Sequence, residues 1–104
     1  MRIMVSHNRR KEEVMQSVDR SFNDLFQGIG GPIKLAEERR SWQGNTLTFS
    51  LTAKMGWIST PINGTIEVTD QDITIDADLG LLERVIPAKT AREVIGNRVR
   101  GLLK

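Results

Sequence analysis

Cysteine and tyrosine are absent from this chain of 104 residues, and histidine occurs once. Without a thiol there is no disulfide and no thiolate nucleophile or ligand, and the chain suits a reducing compartment. With a single imidazole, at His7, the side chain most often used for proton transfer and metal binding is nearly missing. No apolar run reaches ~18 residues, so no membrane-spanning helix is expected. Residues 1–6 are apolar but few, and Arg9, Arg10 and Lys11 follow them. A secretory signal has its basic residues first, so none is expected here. These absences predict one soluble, cytoplasmic domain over residues 1–104, long enough for a modest core without staples.

What is present is alternation. Leu47, Phe49, Leu51, Ala53 and Met55 interleave with Thr46, Thr48, Ser50, Thr52 and Lys54. Ile62, Ile66 and Val68 interleave with Asn63, Thr65, Glu67 and Thr69. Ile73, Ile75, Ala77 and Leu79 interleave with Thr74, Asp76 and Asp78. A period of two gives strands with one apolar and one wet face, and three such runs at short spacing predict an antiparallel meander. Residues 56–61 are expected as the first connection and residues 69–72 as the second. Gly64 predicts a bulge or a close backbone contact. Asn63-Gly64 is an alternative hairpin turn, with residues 57–60 extending the strand before it.

The flanks complete the sheet and cover it. Residues 2–6 read as an edge strand, with Ser6 or Asn8 as a helix N-cap. Val14, Val18, Phe22 and Leu25 or Phe26 then recur at helical spacing over residues 9–26. Gly28 stops that helix, and Gly30, Gly31 and Pro32 keep it from resuming. Residues 33–42 are assigned as a charged edge strand, because Gln43-Gly44-Asn45 has the chemistry of a hairpin turn. Leu81, Leu82, Val85 and Ile86 are at helical spacing up to Pro87. Ala91, Val94, Ile95, Val99 and Leu102 then form a stripe on a last helix, for which Thr90 and Glu93 offer a capping box. Gly96 within it predicts close packing on the sheet. The order is β-α-β-β-β-β-α: an α+β domain with an antiparallel sheet of four to five strands and two helices on one face.

The inventory for catalysis is thin. His7 lies between the first strand and the first helix, where a turn or capping role is expected. Asp70, Asp72, Asp76 and Asp78 lack the glycine and closing glutamate of an EF-hand loop; Asp76 and Asp78 share one face of a strand and are expected on the solvated side of the sheet, with an Asp70/Asp72 metal site as the weaker alternative. The glycines of residues 28–32 follow a helix and lack the Lys-Ser/Thr of a phosphate-binding loop. No catalytic residue, metal site or cofactor is predicted, and an enzyme is not expected.

Two features remain as a surface with a purpose. Trp57, beside Ile58 in a predicted connection, either folds back over the core edge or rims an apolar ligand or partner site. The last helix is basic: residues 84–104 contain Arg84, Lys89, Arg92, Arg98, Arg100 and Lys104 against Glu93 alone, after six acids and no base in residues 65–83. Lys89, Arg92, Arg100 and Lys104 leave the apolar stripe free and present positive charge, either as an ordinary solvated face or toward an anionic partner. Helix, three strands, helix is also the order of double-stranded RNA-binding domains. Residues 87–92 are similar to the start of the basic last helix there, although that family's paired lysines are missing.

Across nearly its whole length the chain resembles the bacterial polyhydroxyalkanoate (polyhydroxyalkanoic acid) system proteins of the granule-region type. The matching features begin with a strand ending near His7 and an amphipathic helix. Trp42, Gly44, Leu47 and Phe49 follow, then residues 64–70, residues 73–82 and a basic amphipathic helix. The resemblance implies a cytoplasmic accessory protein of carbon-storage granules, touching a granule surface or a granule-associated protein. Three readings result: an accessory module acting through Trp57, Ile58 or the basic helix, a nucleic-acid binder, and a carrier of a small hydrophobic ligand.

Overall fold

The computed structural model describes residues 1–26 and 33–103. Its elements are β1 (Arg2–Ser6), α1 (Lys11–Arg20), α2 (Phe22–Phe26), β2 (Lys34–Gln43), β3 (Thr46–Met55), β4 (Ile58–Val68), β5 (Asp72–Asp78), α3 (Leu82–Val85) and α4 (Ala88–Leu102). The expected stop at residues 28–32 and the basic residue Lys104 lie outside the described residues.

The five strands form one antiparallel sheet in the order β1-β5-β4-β3-β2. Strands β2 to β5 are the predicted meander, and β1 joins the far side of β5. Alternation decides the two faces. Ile3, Val5, Leu47, Phe49, Leu51, Ile62, Ile66, Ile73 and Ile75 point into the core, whereas Met4, Thr48, Asn63, Glu67 and Asp76 stay exposed. The helices close the apolar face with Val14 and Val18 of α1, Phe22, Leu25 and Phe26 of α2, and Ala91, Ile95 and Val99 of α4.

Phe22, Phe26 and Phe49 meet at centroid distances of 5.7, 5.1 and 5.2 Å. Gly64 makes this packing possible. It pairs with Phe49, and a Cβ there would stand 2.9 Å from the Phe49 ring and 2.4 Å from the Asp76 carbonyl oxygen. The close contact expected at Gly64 is therefore present, and the ladder runs through it without a turn at Asn63-Gly64.

Several local expectations are corrected. The first helix breaks at Ser21 into α1 and α2. Neither Ser6 nor Asn8 caps α1: its N-cap is Arg10, and the Asp70 carboxylate, from the β4–β5 turn, accepts the Lys11 N–H at 3.1 Å. Helix α4 starts at Ala88 after Pro87, upstream of the Thr90/Glu93 pair, so no capping box forms. A Cβ at Gly96 would meet only the end of Arg100, at 3.3 Å, so this glycine marks no close approach to the sheet. The charged strand is real but carries a bulge between Ala36 and Arg39, with Glu37 at φ 54°. A bulge and five exposed charged residues on an outermost strand discourage pairing with another chain.

Candidate functional site

The β3–β4 hairpin builds an apolar groove. Met55 pairs with Ile58, so the connection is only Gly56-Trp57 and not residues 56–61. Gly56, at φ 61°, takes the left-handed backbone that such a two-residue turn requires at its first position. This leaves Trp57 at the tip, 93% exposed, and it does not fold back over the core.

Beyond the tip the sheet is incomplete on one side. Strand β5 ends at Asp78, opposite Asn63, so residues 58–62 of β4 have no β5 neighbour. Pro61, which cannot donate to a ladder, falls in that stretch. The chain after β5 turns across it instead. Asp78 Oδ1 accepts the Gly80 N–H at 2.9 Å, and Leu81 N–H donates to Thr60 Oγ1 at 2.9 Å, satisfying a hydroxyl that is almost fully buried. Between the tip and α3 lies a groove of about 460 Å³ lined by Met55, Trp57, Ile58, Ser59, Leu81, Leu82 and Arg84. Leu81 is 48% exposed, so two of the three exposed large apolar side chains among the described residues, Trp57 and Leu81, share this groove.

The basic residues of α4 lie elsewhere. Lys89, Arg92 and Arg100 line a second groove with Glu93, Gly96, Asn97 and the edge strand residues Arg2, Ile3 and Met4. The two grooves share no lining residue. Arg98 points away and donates to the Asp24 carbonyl, tying α4 to α2. The predicted partner surface is thus two separate surfaces: Trp57 and Ile58 on one, Lys89, Arg92 and Arg100 on the other. Sequence reasoning missed Leu81 and Arg84 in the first, and Arg2 and Met4 in the second. The sequence carries no signal that separates the exposed Leu81 from the buried Leu82 beside it.

His7 is a structural residue. Its Nδ1 accepts the Arg9 N–H at 3.1 Å, so Nε2 carries the proton and donates it to the Thr69 carbonyl at 2.8 Å. Asp72 Oδ1 accepts from Thr69 Oγ1 at 3.1 Å, and Asp76 and Asp78 are exposed on the outer face. Among the described residues no three His, Cys, Asp or Glu side chains come together as metal ligands, and no helix is long and apolar enough to cross a membrane.

Neither a curated protein nor a solved structure matches this chain. One family does, described as "putative polyhydroxyalkanoic acid system protein", over residues 1–103. The strand near His7, the Trp42-to-Phe49 hairpin and the run through residues 73–82 all fall within that span, and the chain belongs to this family of polyhydroxyalkanoic acid system proteins.

Proposed function

We propose that the protein is a non-enzymatic accessory of the polyester-storage system that attaches to an apolar surface, the granule polymer, through the hairpin tip. The observation that carries this reading is Trp57, 93% exposed on a two-residue turn and flanked by Leu81 and the groove behind it. A rigid aromatic held at a strand-hairpin tip loses little conformational freedom on contact. An indole removes about 150–250 Å² from water when covered, on the order of 4 kcal/mol before the costs of association. Arg84 at the groove rim leaves the attached face partly wet. A non-catalytic role is supported by His7, whose two ring nitrogens are both engaged in holding the β1–α1 turn to Thr69.

The test is co-sedimentation with polyhydroxybutyrate particles, together with tryptophan emission in a Trp42→Phe background so that Trp57 alone reports. A blue shift on adding particles is expected, and Trp57→Ser or Leu81→Ser weakens retention about tenfold or more. Unshifted emission with undiminished retention of both variants would exclude the hairpin as the contact.

A further inference from the structure

The edge strand β1 is open on one side, and the residues around that opening are basic. Met1 exchanges both backbone hydrogen bonds with Ala77, its ammonium donating to Ala77 O and its carbonyl accepting from Ala77 N, each at 2.8 Å. His7 N–H donates to Gln71 O at 2.8 Å. In an antiparallel ladder this alternation sends the N–H and C=O groups of Ile3 and Val5 to β5, and those of Arg2, Met4 and Ser6 away from it. Among the described residues nothing bonds the backbone of these three on the open side. Strand β2, at the opposite edge, has its bulge and its charges; β1 has neither a bulge nor a proline.

Helix α4 stands beside this opening. Lys89, Arg92, Gly96 and Arg100 form one stripe, three to four residues apart, along a groove whose other wall is Arg2, Ile3 and Met4. The groove continues past Met4, Val5 and Ser6 to Leu103. Gly96 has no side chain to fill its middle. Glu93 is the one carboxylate in the groove lining and Asp76 stands opposite Arg2 in the β1–β5 ladder, but none of the four cations forms an ion pair among the described residues. Met4, the third exposed large apolar side chain, is 58% exposed on the same strand.

We infer that this groove takes an acidic peptide segment in extended conformation, which pairs with β1 as a sixth strand and lies against α4. The backbone groups of Arg2, Met4 and Ser6 supply its hydrogen bonds, and Arg2, Lys89, Arg92 and Arg100 select its charge. A second copy of this chain is disfavoured as occupant, because β1 against β1 would bring two sets of four cations together. RNA would use the cations but leave the strand edge unpaired. The inference is independent of the hairpin groove, which lies on a separate surface.

The probe is a capped synthetic peptide of about eight residues alternating valine and glutamate, the length of a typical strand, titrated into the full chain and followed by amide NMR. Saturable shifts are expected at Arg2, Met4 and Ser6 and not at Trp57, with binding that falls as salt rises. Two variants separate the contributions. Met4→Pro removes an N–H that points away from β5 and is expected to weaken binding about tenfold. Lys89→Glu with Arg92→Glu, both exposed, is expected to do the same through charge. The same peptide N-methylated at alternate amides should not bind. Equal binding of that peptide or of a valine–lysine peptide overturns the proposal. So does a single-stranded RNA that shifts the same amides more tightly, or self-association through β1 that excludes the peptide.

Discussion

Two glycines show how one hydrogen atom is used differently at different places. At Gly64 a methyl group would press on the Asp76 carbonyl at 2.4 Å, on Ala77 Cα at 2.9 Å and on the Phe49 ring at 2.9 Å. Two of these are backbone atoms of a hydrogen-bonded strand and cannot step aside. Gly64→Ala is therefore expected to destabilise the fold by about 2 kcal/mol or more, read as a lower urea midpoint at unchanged slope. At Gly96 the same methyl would meet only the flexible end of Arg100. Gly96→Ala is expected to stabilise by up to ~1 kcal/mol, because alanine restricts the unfolded chain and favours the helix. Opposite signs at two partly or fully buried glycines test the packing directly; the same sign at both would contradict it.

Elements in this fold are held by side chains borrowed from distant ones. Asp19 on α1 accepts Trp42 Nε1–H from β2 at 3.0 Å and lies 3.7 Å from Arg40 Nε, while Arg40 also donates to the Asp19 carbonyl at 2.8 Å and covers the Phe22 ring at 5.3 Å. This contact fixes the helix layer to the outermost charged strand. At the other side, Asp70 of the β4–β5 turn caps α1 through Lys11 N–H. Asp70→Ala is expected to cost about 1 kcal/mol, the value of a helix N-cap, with earlier amide exchange in the first turn of α1. Unchanged exchange there would show that the cap contributes nothing. Asp76 and Asp78 are exposed on the outer face as the alternation predicts, and Asp70, Asp72 and Asp78 also accept hydrogen bonds that set a helix start and two turns.

On the scale of the whole molecule, the sheet has two unlike edges and one protruding hairpin. The β2 edge is guarded by its bulge, the β1 edge is open beside a basic helix, and the hairpin tip carries its tryptophan clear of the core. A side chain 93% exposed contributes little to folding. Trp57→Ser is expected to change stability by less than ~0.5 kcal/mol while weakening attachment to polymer particles. A large loss of stability in that variant would mean that the ring is part of the core and not a contact.

The alternation of Leu47, Phe49 and Leu51, or of Ile73 and Ile75, was enough to determine strands, their buried face and the antiparallel meander. The stripes of Val14 and Val18, and of Ile95 and Val99, were enough to determine which helices cover it. Periodicity reports burial, because a side chain's direction follows from its own backbone. It does not report which distant residue arrives beside it. Met1 meets Ala77 76 positions away, and Lys11 meets Asp70 59 positions away. Only the tertiary structure therefore decided that β1 closes on β5, that Trp57 stands in water beside Leu81, and that Arg2 joins Lys89, Arg92 and Arg100 in one groove.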